Sequence, residues 1–256
     1  MKTFDDELRN SYRGLDYDAV EEQLERGKAA QITVSRASEV SPVTKVPLEA
    51  QALLQVGLRR NMELTASFVE SFNAELFAPL FLTGRAVLET ACLLWEFWAR
   101  TDRIVKEQDK AALDDFEDRI TKALLGVKSP ACGGDPENYP APNVLTIIDR
   151  LNKREFPRLR WFYDTLSEFA HPNYFGMHAA YGRVDDSAQE IRYVDRPFGK
   201  DVKLLAMAID AIAAGLLMTV SAVEKYEKDL LPFTRLCEEA IHDGGTWPSD
   251  VPYPGI

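Results

Sequence analysis

The order of apolar and polar positions divides the chain into helices separated by short breaks. From Lys200 to about His242 the pattern is helical throughout and apolar in its first half, with Gly215 marking a candidate point of close helix contact. Roughly Glu75 to Val105 is apolar around most of its circumference, through Leu80, Phe81, Val87, Leu88, Leu94, Trp95 and Phe97, as expected of a helix at the centre of a bundle. Upstream, Pro47 sits where a first helical residue belongs, and Leu54, Leu58, Met62, Phe68, Val69 and Phe72 keep the period to about Asn73. Asp109 to Val127 is amphipathic, with Leu113, Phe116, Ile120 and Leu124 on one side and Asp114, Asp115, Glu117 and Asp118 on the other. Asn143 is placed to cap a short helix through Leu151. Pro157 is placed to start the next, which must stop at His171 because Pro172 disfavours helical geometry in the residue before it.

The remaining stretches lack this period. Residues 1–30 carry two short charged helical patterns with a thin apolar face, an arm lying on the body or on a partner. Gln31 to Val46 is rich in Ser, Thr and Val and predicts an extended connector; Lys128 to Asn143 is a loop by its Pro, Gly and Asn content. Beyond His171, MHAAYGRV and AQEIRYV alternate around Asp185-Asp186-Ser187, which predicts a small β-hairpin. The expected architecture is all-α: a helical bundle with long central and C-terminal helices and a short β-hairpin inserted near 177–195. The arm and connector span 1–46, the bundle domain 47–242 and an irregular tail 243–256.

Composition narrows the function. The 256 residues are enough to bury a substantial core, and 46% hydrophobic with 28% charged residues is ordinary for a globular protein. A formal charge of −11 argues against a general polyanion binder, which needs Lys and Arg to neutralise phosphates. Cys92, Cys132 and Cys237 are few and widely spaced, which fits a reducing compartment without a disulfide framework. The N-terminus shows no secretory signal. Leu204 to Val223 has the length of a membrane span but contains Asp210 and much Ala, so a core helix of a bundle is expected and no membrane partner.

Two groups of polar residues carry the candidate chemistry. On the central helix, Arg85, Glu89, Glu96 and Arg100 fall within one stripe about 60° wide, with Cys92 at its edge. Either the stripe is the wet side of a mostly buried helix, or it faces the helix bearing His171 and its charges are kept for function. On that second helix the same rotation sets Ser167, Arg160, His171 and Asp164 side by side, with Tyr163 and Glu168 at the borders. One reading makes His171 a general acid/base or anion-binding group beside an arginine and a carboxylate. The plainer one has His171 cap its own helix, Asn173 take a left-handed turn and the rest form a solvated face. A Ser167–His171–Asp164 triad is disfavoured because no nucleophile-elbow motif surrounds Ser167. Arg150, Lys153, Arg154, Arg158 and Arg160 form a basic cluster, suited to phosphate or simply to complementing a helix end. No metal site is expected, since there is no His-Glu-x-x-His and no Cys pair at zinc spacing. Without a Walker loop or Gly-x-Gly-x-x-Gly, no cofactor is expected either.

R-A-V-L-E-T-A at Arg85 to Ala91, paired with Y-D-T-L-S-E-F-A-H-P at Tyr163 to Pro172, resembles a group of bacterial helical proteins of unknown function related to the HEPN-like superfamily. The resemblance covers about residues 75 to 225. It implies an all-helical fold and, in many members, a dimeric metal-independent ribonuclease acting as a toxin or defence effector, marked by an Arg shortly before a His. The positions that Arg would occupy ahead of His171 hold Asp164, Thr165 and Leu166, and Arg85 on the neighbouring helix is the candidate to supply the guanidinium. The resulting expectation is a cytoplasmic, homodimeric binding or regulatory module linked to prokaryotic defence or stress, with a nucleotide or RNA ligand. The alternative is a metal-independent endoribonuclease using His171. The candidate catalytic residues are His171, Arg85, Glu89 and Tyr163; the candidate binding residues are Arg160, Asp164, Ser167 and Asn173.

Overall fold

A computed structural model describes residues 3–185, 187–194 and 202–242. Its elements, in order, are helices α1 (Asp6–Ser11), α2 (Tyr17–Ala29), α3 (Ala37–Val40), α4 (Val46–Asn73), α5 (Phe77–Glu107), α6 (Leu113–Leu125), α7 (Val144–Arg154) and α8 (Leu159–Ala170). A wide π-helical turn (Tyr174–Ala179) follows, then strands β1 (Gly182–Asp185) and β2 (Glu190–Tyr193), and last the helix α9 (Val202–His242). The protein is all-α with one short antiparallel hairpin. The 243–256 tail lies outside the described residues, as do Lys200 and Asp201 at the expected start of α9.

Three local departures from the sequence pattern have physical causes. The connector contains one helical turn, α3, just before Ser41, whose hydroxyl accepts from the Thr44 amide and donates to Glu238 at 2.8 Å. α8 begins at Leu159, not at Pro157, and Asn152 from α7 accepts the Arg160 amide at 3.0 Å, satisfying a donor that the helix start leaves unpaired. Met177 and His178, expected in a strand, lie in the π turn, so the hairpin is confined to four residues a side.

Contacts within the chain group into two compact units. The first comprises Met1–Ala30, Gly57–Leu93 and Val144–Val220. Its N-terminal segment is packed, not loose: Phe4 and Tyr17 are buried and meet Phe72 edge-on at 5.3 and 5.7 Å. Asn73 then clasps the chain, accepting the Asp5 amide at 2.9 Å and donating to the Thr3 carbonyl at 2.8 Å. Deeper in this unit, fully buried Asn61 donates to the Val87 carbonyl at 3.2 Å and to the Thr219 hydroxyl at 2.7 Å, joining parts of α4, α5 and α9. Gly215 allows a close approach there: a methyl would sit 2.9 Å from Val87 Cγ1.

The second unit comprises Gln31–Val56, Leu94–Asn143 and Ser221–Ile256. Phe116 packs edge-on against Phe233 at 5.5 Å, and buried Tyr226 donates to the Pro47 carbonyl at 2.7 Å. Lys225 lies over both Trp95 and Trp98, 4.7 and 4.1 Å from their ring centres, while the Trp98 indole donates to Asp229 at 3.1 Å. By length and composition α5 and α9 could each cross a membrane, and more than half of each apolar stretch is buried inside the protein.

Candidate functional site

Part of each polar group meets within the first unit: Arg85 and Glu89 from α5, Tyr163 and His171 from α8 and its end. Aromatic packing brings them together: Phe169, near the end of α8, lies 5.0 Å from Phe81 and 5.8 Å from Phe77 at the start of α5. Farther along α5, Arg85 and Glu89 are one turn apart and form an ion pair, Nε to Oε1 at 2.9 Å. The other arm of the guanidinium, Nη1, lies 3.0 Å from His171 Nε2. Tyr163, buried on α8, donates its hydroxyl to the same Glu89 oxygen at 3.2 Å, and the guanidinium sits 5.3 Å from the centre of its ring. All four candidate catalytic residues therefore belong to one connected group.

The chemistry of this group follows from what each member can donate. Arg85 has only N–H donors, so in this contact only His171 Nε2 can accept. Burial works against the Arg85 charge, but the hydrogen bond to Glu89, with Tyr163 and the Glu89 charge behind it, outweighs that and holds its pKa above the ordinary value. Arg85 and Glu89 are 28% and 32% exposed, so solvent and small anions reach them. The arrangement offers a cation, an imidazole and a phenol, gathered around a carboxylate that takes up two hydrogen bonds.

Other expected site residues go elsewhere. Arg160 is engaged by Asp164 at 2.8 Å and Asp149 at 2.6 Å, so Arg160 and Asp164 satisfy one another on an exposed face. The Ser167 hydroxyl is buried and makes no hydrogen bond to a described residue. Asn173 is extended, not left-handed: its side-chain oxygen accepts the Gly176 amide at 2.9 Å and its amide donates to Glu168 at 2.7 Å. It closes the turn after α8. The His171 backbone amide caps α8 by donating to the Ser167 carbonyl, while its ring turns to Arg85. In the basic cluster, Arg158 lies over Trp161 and Phe162, and Arg154 pairs with Glu155 at 3.6 Å. The lower half of the α5 stripe, Glu96 and Arg100, pairs at 2.9 Å within the second unit.

Two features of the site had no signature in the sequence. Gly176 packs so closely under the end of α8 that a methyl group would overlap the His171 carbonyl oxygen and come within 3.0 Å of that of Phe169. Tyr174 stacks on His178, rings 5.5 Å apart and 15° from parallel, on the turn that leaves His171. Cys92 on α5 is fully buried, and burial, with the nearby Glu89 charge, pushes its thiol well up. Among the described residues, no group of three or more His, Cys, Asp or Glu is placed to hold a metal ion. The fold and site define a helical protein with an exposed His–Arg pair held by Glu and Tyr. No family model matches this chain, and neither does any curated protein or solved structure.

Proposed function

We propose that this chain is a binding or regulatory protein whose site on α5 and α8 takes a small phosphate-bearing anion, of the kind carried by a nucleotide or an RNA end. The observation that supports this best is the 3.0 Å contact between Arg85 Nη1 and His171 Nε2, which sets a guanidinium and an imidazole side by side at the surface. A net charge of −11 favours a discrete ligand held by these groups over a long polyanion held by general attraction. The free thiols of Cys92 and Cys237 fit the cytoplasmic location included in this proposal. Thermal melting with inorganic phosphate, mononucleotides and short RNA tests it, because a ligand that binds only the folded state raises Tm. A rise with at least one of these, lost in Arg85→Ala, is expected; no rise with any of them contradicts the proposal.

A second reading, metal-independent RNA cleavage, is favoured by one specific feature, the Nε2 of His171 set 3.0 Å from the Arg85 guanidinium. In such a reaction the imidazole takes the proton of the ribose 2′-hydroxyl as its oxygen bonds to phosphorus. The bond to the 5′-oxygen breaks, the leaving oxygen takes a proton from water, and Arg85 balances the charge on the phosphoryl oxygens. Tyr163, tied to Glu89, positions Arg85. RNA incubated with the protein and EDTA separates the two readings. Cleavage lost in His171→Ala and kept in Ser167→Ala establishes the nuclease, and intact RNA leaves the binding protein.

A further inference from the structure

The charged face of the β-hairpin pairs like with like. Arg183 stands opposite Arg192 and Asp185 opposite Glu190, an unfavourable arrangement for directly facing side chains. Arg183 and Asp185 are engaged elsewhere. The Arg183 guanidinium donates to the carbonyls of Ala179, Ala180 and Gly182 at 2.7–3.2 Å, and Asp185 accepts from the Ser187 hydroxyl and the Ala188 amide. Glu190 and Arg192 are left with each other along the strand, a 3.7 Å ion pair that is well exposed at both ends. The opposite face is apolar and unpartnered among the described residues, with Val184 57%, Ile191 47% and Tyr193 84% exposed.

The backbone leaves the same strand open. The Val194 amide donates to the Tyr181 carbonyl at 2.9 Å. By the alternation of an antiparallel ladder, Arg192 and Glu190 then form the hydrogen-bonded pairs with β1, and the N–H and C=O of Ile191 point away from it. The described sheet has two strands, so no described strand takes up that edge.

We infer that β2 pairs with β2 of a second copy of this chain, antiparallel and centred on Ile191, to make a four-stranded sheet across a two-fold axis. In this register the two Ile191 residues exchange both backbone hydrogen bonds. Each Glu190 then faces Arg192 of the other copy in the closely spaced, non-hydrogen-bonded position. Glu-Ile-Arg run in opposite directions is complementary to itself, which is why a second copy is the occupant. The charge conflict within each hairpin becomes two attractive pairs between hairpins, and the Ile191 side chains gain an aliphatic neighbour on the apolar face. This interface is independent of what the Arg85–His171 group binds.

Sedimentation velocity on the full chain, from micromolar to near-millimolar concentration, tests it with two single variants. Glu190→Arg places a cation opposite Arg192 of the second copy; Arg192→Glu does the same with two anions. Each also relieves its own hairpin, by facing Asp185 or Arg183 with the opposite sign, so loss of the dimer cannot be put down to loss of the hairpin. Wild type is expected to reach twice the 28.9 kDa chain mass, each variant to stay at the chain mass, and an equimolar mixture of the two to dimerise again. A wild type that stays monomeric throughout overturns the inference. So do single variants that dimerise like wild type, and a mixture that fails to pair.

Discussion

Arg85 and His171 lie 86 positions apart in the chain, and their side chains meet at 3.0 Å. Neither is buried for the sake of the core; Glu89 pairs with Arg85 at 2.9 Å and in turn accepts the Tyr163 hydroxyl at 3.2 Å. The contact is partly exposed, so it adds little to stability. His171→Ala is expected to cost less than about 1 kcal/mol in urea unfolding, the usual range for an exposed polar pair, while abolishing ligand binding. A cost of several kcal/mol makes the pair structural.

Gly176→Ala acts on the same site from below. The added methyl overlaps the His171 carbonyl oxygen, so the turn must shift. A loss of about 1–3 kcal/mol is expected, the range for overpacking at a closed position, together with weakened ligand binding. Urea unfolding and the binding titration check both, and an unchanged affinity separates the turn from the site.

Asn61 tests the interior of the first unit. Asn61→Ala removes its two buried hydrogen bonds, to the Val87 carbonyl and the Thr219 hydroxyl, and a loss of about 1–3 kcal/mol is expected, measured by denaturant unfolding. No loss means these two bonds add nothing net to stability.

Cys237 gives a pH prediction. Burial, with the neighbouring Glu238 and Glu117 charges, pushes its thiol up from 9.0 to about 12. A group raised in the folded state contributes stability that is full below the unfolded value of 9.0 and lost as pH rises towards about 12. At pH 8, Cys237 and Cys92 should resist a thiolate-selective reagent in the native protein and label on unfolding, as mapped by peptide mass spectrometry. Rapid native labelling at either position contradicts their burial.

The helices were legible because their apolar residues recur at the helical period, and so was the spacing that pairs Arg85 with Glu89. The meeting of Arg85 and His171 was legible only as an alternative. The spacing on α5 is equally that of a solvated stripe, and the deciding contacts, Phe77 and Phe81 with Phe169, join segments far apart in sequence. Asn173 misled because a polar residue after a helix end suggests a left-handed cap, whereas here its side chain closes the turn onto Gly176. Alternation in MHAAYGRV suggests a strand, yet the π-helical turn over Tyr174–Ala179 claims its first residues. The grouping into two units has no linker to announce it, because α4, α5 and α9 each contribute to both.

The central claim is that Arg85 and His171 act as one anion-binding group. Its most direct test is proton–nitrogen NMR of the His171 ring during titration with phosphate and a mononucleotide, in wild type and in Arg85→Gln. The account predicts an unprotonated Nε2 in the free protein and a saturable shift of the ring signals on titration, absent in the variant. Ring signals that ignore both ligands, or that respond equally without the guanidinium, contradict it.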